Sequence, residues 1–287
     1  MWFVLALGSA VFFAAQGAAA KSLGDEYPTD VVTWFAFIFS LPIYMVVLAY
    51  DGIPVVQPEF WGWASLSVGL NCVAIPMYFS ALRHGELSVV LPLSTLTPLF
   101  ALGTEYVLLG EIPGRQSFAG VLLIVLGAYL LHAGDLKKGL VAPIVTLSRD
   151  KGARRMLLAG ALWSITAVAD RGAVLASSPA FYVNIFGGSF SVAFLFWLLG
   201  KRREYISKFI KDPWRPAGVG VFGAVMALCQ MAALVYASAS VVTAVKRLAA
   251  LFGVILGNAL FKEGHVWARL LAAGIMVAGA LVLALGF

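Results

Sequence analysis

Charge is scarce in this chain. Asp, Glu, Lys and Arg make up 12% of its 287 residues, about half the share of a soluble domain. Hydrophobic residues make up 61%. Too few polar residues remain to clothe a water-soluble core, so a membrane protein is implied. Cysteine is nearly missing. Cys72 and Cys229 both lie inside apolar runs, which excludes a disulfide framework and a paired-thiol metal site; each is read as a small packing residue. No GxxxxGK[ST] loop occurs, which excludes P-loop ATPase machinery. Three histidines, His84, His132 and His265, fall near the ends of apolar runs with no partner at ligand spacing. No metal and no cofactor is therefore expected. The net charge of +6 is not gathered in an accessible basic domain, which excludes a nucleic-acid partner. It sits in connecting segments that suit an anionic lipid surface.

What the chain has is long apolar runs. A bilayer core takes about 20 residues of helix. Such windows fall near 2–20, 30–50, 61–82, 88–109 and 116–134, then near 156–176, 180–199, 216–237, 241–261 and 267–287. The expected fold is an all-α membrane protein of ten transmembrane helices. The first run has no basic segment before it, so it reads as a span rather than a signal peptide. Ser177-Ser178-Pro179 and Ser238-Ala239-Ser240 are very short connections, which force antiparallel neighbours. Pro42, Pro76, Pro92 and Pro98 lie inside spans and are expected to bend helices rather than end them. The segment 200–215 alternates Lys and Arg with Tyr205, Ile206, Phe209 and Ile210, the pattern of an interfacial helix.

Shifted by 152 residues, the chain aligns with itself without gaps. Ala81-Leu82 meets Ala233-Leu234, Phe100 meets Phe252, Glu111 meets Glu263, and Gly127-Ala128 meets Gly279-Ala280. Two five-helix repeats follow, at 1–134 and 156–287, joined by a basic segment at 135–155. With five spans each, the copies cross the membrane in opposite senses, a recurrent design of secondary transporters. Leu108-Leu109-Gly110-Glu111 precedes a span with Gly120 and Gly127, and Phe261-Lys262-Glu263 precedes one with Gly274 and Gly279. This resembles the EamA-type repeat of the drug/metabolite transporter superfamily. The resemblance implies a ten-helix carrier in a cell (inner) membrane that works by alternating access and is not an enzyme.

Charges inside spans cost roughly 2.5–3.5 kcal/mol each and are functional candidates by default. Five qualify: Glu105 in span four, Asp170 and Arg171 in span six, and Lys246 and Arg247 in span nine. At ~1.5 Å per residue, Lys246 lies roughly 7–8 Å into its span. Counted from the appropriate ends, all five fall in one half of the bilayer, so a shared pocket is geometrically open. Adjacent residues point about 100° apart. Trp163, Thr166 and Asp170 therefore share one face of span six, and Ser164 and Arg171 another. The plain structural reading is an ion pair of Asp170 with Lys246 or Arg247. Three cations against two anions still leave one cation unmatched, which is expensive when buried. An anionic substrate supplies the missing charge, and arginine suits phosphate or carboxylate. The Lys246-Arg247 pair resembles the Lys-Arg pair in the ninth helix of triose-phosphate translocators of the same superfamily, where it binds substrate phosphate.

Asn71, Tyr182, Asn184, Gln230 and Tyr236 are secondary candidates for lining the substrate path, or else make interhelical hydrogen bonds; Gln16 is weaker. The expected substrate is a small anionic metabolite, phosphorylated or carboxylated. Open alternatives are an exporter of amino acids or amphipathic compounds and a flippase of an anionic lipid head group. A membrane enzyme ranks low, because the loops hold no carboxylate or histidine cluster. Expected partners are the small-molecule or lipid substrate, the surrounding membrane lipids, and a proton or counter-substrate; a monomer and a homodimer are both open.

Loops 1–2, 3–4, 5–6, 7–8 and 9–10 carry 16 Lys and Arg, and the opposite side only Arg115. Basic residues stay cytoplasmic in short loops, which places both termini outside. The superfamily resemblance implies the reverse.

Overall fold

The computed structural model describes residues 1–23, 26–84, 93–132, 151–201, 204–205, 214–253, 255 and 270–285. Among them the regular structure is helical and there is no strand. The first half holds α1 (Trp2–Ser22), α2 (Thr29–Ile38), α3 (Leu41–Asp51), α4 (Glu59–His84), α5 (Thr97–Leu109) and α6 (Arg115–His132). The second holds α7 (Lys151–Leu175), α8 (Pro179–Lys201), α9 (Trp214–Tyr236), α10 (Ala239–Lys246) and α11 (Leu270–Leu285).

Among the described residues, six stretches are long and apolar enough to cross a membrane: Trp2–Ser22, Asp30–Asp51, Glu59–Tyr78, Lys151–Leu175, Pro179–Lys201 and Pro216–Tyr236. Thr97–Leu109, Arg115–Leu130 and Leu271–Leu285 are shorter apolar helices. The expected parts of spans four, nine and ten at 88–92, 256–261 and 267–269 lie outside the described residues, as do most of the basic segments 135–155 and 200–215. The outer face is apolar, with Val46, Phe196 and Leu271 each more than two-thirds exposed, as lipid contact requires.

The prolines act more strongly than expected. Pro76 does lie within continuous α4. Pro42 and Pro98 instead occupy the first turns of α3 and α5, where a missing N–H and a fixed φ suit a helix start. Span two is thus interrupted at Phe39-Ser40 between α2 and α3, and α5 starts at Thr97 with Leu96 as its cap. Pro92 lies outside the described residues.

Packing between the halves follows the 152-residue repeat. The first span of each half lies on the third span of the other: α1 on α9, and α7 on α4. Spans two, four and five meet their own counterparts: α2 and α3 on α8, α5 on α10, and α6 on α11. The last pair is closest. A Cβ on Gly127 would sit 2.8 Å from the Ala272 carbonyl, and one on Gly279 would sit 2.9 Å from the Gly120 carbonyl. Gly127 and Gly279 are repeat equivalents, as are Gly120 and Ala272, so the two contacts exchange under the repeat. Small residues let the helix backbones touch.

Candidate functional site

Span nine does not continue as one regular helix. α10 ends at Lys246, with Arg247 as its cap. Beyond it the backbone tightens to i+3 bonds: Arg247 N–H to Ala244 O at 2.9 Å, Leu248 N–H to Val245 O at 3.0 Å, Ala250 N–H to Arg247 O at 3.0 Å. Lys246 and Arg247 therefore stand at an interruption flanked by the buried residues Val241 to Val245. No proline causes this one.

The two ends of α10 carry complementary charges. Glu105 of α5, 2% exposed, accepts the Ser240 N–H at 3.0 Å and also the Ser240 hydroxyl. It supplies the cap that Ser238 does not make. An anion at the N-terminus and Lys246 in the last turn both complement the helix dipole. Beside Glu105, a cavity of about 170 Å³ is lined by Glu105, Glu111, Pro113, Ser117 and Ser238 among others. Neither Asp170 nor Lys246 lines it.

The Lys246 ammonium donates to Gln230 Oε1 of α9 at 2.6 Å and lies 4.7 Å from the Phe13 ring centroid of α1. Arg247 acts electrostatically on Lys246 and on Tyr78. Among the described residues no side-chain hydrogen bond or ion pair engages its guanidinium.

On α7 the two faces separate as their spacing expects. Trp163 Nε1 donates to Asn71 Oδ1 of α4 at 3.2 Å, and Asp170 Oδ1 accepts from Ser67 of α4 and Tyr182 of α8. On the other face Ser164 lies 3.0 Å from Thr104 of α5, and Arg171 forms an ion pair with Glu111. The ion pair of Asp170 with Lys246 or Arg247, the alternative to a substrate role, is not formed. Asp170 and Lys246 act on one another electrostatically, while hydroxyls and an amide oxygen take their contacts. The expected charge balance changes as well: Glu111, just past span four, neutralises Arg171, so the layer holds three anions to three cations rather than two to three. Gly110 with φ 69° ends α5 in the left-handed conformation and turns the chain there, so the Gly-Glu of the repeat motif serves as a turn and an ion-pair partner.

Asn71, Tyr182 and Gln230 thus gather around Asp170 and Lys246. Asn184 instead donates to Tyr44 O and Ala180 O, both at 2.8 Å, and ties α8 to α3. Tyr236 is 54% exposed at the end of α9. Gln16 donates to Val219 O at 3.2 Å. The side chains of His84 and His132, and the whole of His265, lie outside the described residues. Sequence reasoning missed Ser67, Ser240, Glu111 and Phe13. Glu111 was within reach of the same depth count, since spans four and six run parallel and both residues fall near the same ends. Serines give no such signal in an apolar helix.

Two segments, residues 1–133 and 151–285, match the EamA-like transporter family. The chain belongs to that family. An uncharacterized transporter of Synechocystis sp. is 26% identical over 125 residues, 42% of this chain and 38% of its own length, so the alignment covers well under half of that relative. An uncharacterized protein of Methanocaldococcus jannaschii is 27% identical over 135 residues, 46% of this chain and 96% of its own length; it is about as long as one repeat. A solved crystal structure, described only as that of a protein, superposes with a TM-score of 0.72 at 16% identity, covering 99% of this chain and 96% of the other. It shares the fold. The chain described here thus carries two segments of the EamA-like transporter family.

Proposed function

We propose that this EamA-family chain is a secondary transporter that moves a small anionic metabolite, phosphorylated or carboxylated, by alternating access between two inverted five-helix halves. One observation carries the reading: Lys246 and Arg247 stand at the interruption of span nine, and no carboxylate among the described residues touches either. Arg171 already has Glu111. Asp170 acts on Lys246 only from a distance, and membrane-interior cations with no carboxylate in contact are costly. An anion entering the site lowers that cost, and a guanidinium offers it two parallel hydrogen bonds. The likeness of this pair to the Lys-Arg of triose-phosphate translocators supports the same reading. The proposal includes ten spans, repeats at 1–134 and 156–287, and a place in the cell (inner) membrane.

The test is thermal stabilisation of the purified protein by phosphorylated and carboxylated metabolites, amino acids and anionic lipids. Stabilisation by small anions, lost in Lys246→Ala, is expected. Stabilisation by neutral amphipathic compounds alone supports an exporter instead, and by anionic lipids alone a flippase.

A further inference from the structure

Asp170 sits in α7 facing two other helices. Its Oδ1 accepts from Ser67 Oγ of α4 and from the Tyr182 hydroxyl of α8. The same Tyr182 hydroxyl lies 3.1 Å from Ser67 Oγ. Three oxygens from three helices thus form a triangle with a hydrogen-bond contact along every edge. Each hydroxyl carries one hydrogen, so Ser67 and Tyr182 supply two hydrogens for three edges. Those two hydrogens satisfy an ionised Asp170 along two edges, and a hydrogen on the carboxyl would occupy the third, so the triangle accommodates both protonation states. Asn71 does not fill the gap: its Nδ2 reaches Ser67 at 3.0 Å (O) and 3.4 Å (Oγ), and its Oδ1 is taken by Trp163. Among the described residues Asp170 Oδ2 receives no donor.

We propose that Asp170 is a proton-binding site and that its proton travels with the anion. The coupling rests on the reading of Lys246 and Arg247 as the anion site; the proton site itself does not. The groups facing Asp170 are few. Tyr182 comes from α8 and the neutral Ser67 and Asn71 from α4. Lys246 comes from α10, within electrostatic reach but making its own contact with Gln230 of α9. The α5 carboxylate, Glu105, is held by Ser240, and the neighbouring Arg171 is held by Glu111. With the site empty, Lys246 is, among the described residues, the cation acting on Asp170, and it favours the ionised form. An anion bound at Lys246 and Arg247 cancels that field, and Asp170 takes a proton from water. Binding of one then strengthens binding of the other to the same degree. A carboxyl proton that comes and goes inside a span is the chemistry of intramembrane proton relays.

The experiment is pH-difference infrared spectroscopy of the purified full chain without substrate. A carboxyl C=O band that titrates with pH is expected in the native protein and is missing in Asp170→Asn. Tyr182→Phe and Ser67→Ala retain the carboxyl and should move the band by removing a hydrogen-bond partner, which keeps the test open if Asp170→Asn does not fold. Lys246→Gln should raise the midpoint of that band, by about tenfold in proton affinity for loss of a nearby positive charge. No titrating band that responds to Asp170, Tyr182 or Ser67 overturns the proton site. A midpoint unmoved by Lys246→Gln overturns the coupling. Failure of the anion reading shows separately, as Lys246 and Arg247 variants that still transport anions.

Discussion

Leu96 and Leu248 are 152 residues apart and hold the same place in the two halves. Each carbonyl accepts a backbone hydrogen bond from the residue three positions on, Leu99 at 3.0 Å and Leu251 at 2.9 Å. The interruption of span four is thus repeated in span nine at the same register. In the first half Pro98 marks it; its repeat equivalent is Ala250. Ala250→Pro should therefore be tolerated, losing one backbone bond worth about 1 kcal/mol. Ala244→Pro, inside α10, should cost about 3 kcal/mol or more. Thermal melting of the two purified variants checks the difference; equal losses would mean the interruption is not a built-in feature of the repeat.

The α6–α11 contact gives a second symmetric test. Gly127 and Gly279 each face a backbone carbonyl of the partner helix at under 3.0 Å from a Cβ. Gly127→Val and Gly279→Val should each destabilise by about 1–3 kcal/mol, because backbone cannot step aside as a side chain can. Gly188, with open space around its Cβ position, should accept Ala with little effect. The readout is the midpoint of thermal aggregation in detergent.

Arg171 and Glu111 give a third. Glu111 is 42% exposed and Arg171 14%, so the pair is only partly buried. Glu111→Gln leaves the partly buried guanidinium without its carboxylate and should cost about 1–3 kcal/mol, less than a fully buried pair. The double variant Arg171→Gln, Glu111→Gln should recover part of that loss. A double variant no better than Glu111→Gln would show that the pair is not what Glu111 contributes.

Much of this arrangement was legible in the sequence, because depth and spacing are properties of a helix in a membrane. The 152-residue shift marks the residues that exchange across the α6–α11 contact. The 100° step separates Asp170 from Arg171, and the structure sends one to α4 and α8 and the other to Glu111. What was not legible depends on which helix lies beside which. Glu105 reads as a member of a charge layer by depth alone, yet its position opposite the N-terminus of α10 makes it a helix cap. Asp170 reads as a partner for a cation, yet the serine and tyrosine hydroxyls of two other helices reach it. Asn184 reads either as a cavity residue or as an interhelical hydrogen bond, and only the neighbouring α3 carbonyl decides for the second. Helix interruptions without proline, as at Arg247, leave no composition signal.

Orientation is tested by cysteine labelling in a background lacking Cys72 and Cys229. Trp214, 83% exposed at the start of α9, and Ile112, 80% exposed between α5 and α6, lie at opposite ends of spans. By the excess of basic residues on the Trp214 side, that side is expected to be cytoplasmic. In intact cells a membrane-impermeant thiol reagent should label Ile112→Cys and spare Trp214→Cys. The reverse pattern would place both termini inside.

The anion site is tested most directly by uptake of labelled phosphorylated and carboxylated metabolites into proteoliposomes containing the native protein, Lys246→Ala or Arg247→Ala. Each variant should keep its fold by thermal melting. Each should lose roughly ten- to hundredfold in uptake, the worth of about 1.5–3 kcal/mol for a hydrogen bond to a charged group. A folded variant of either residue that transports an anion at the native rate would contradict the assignment of Lys246 and Arg247 to the substrate.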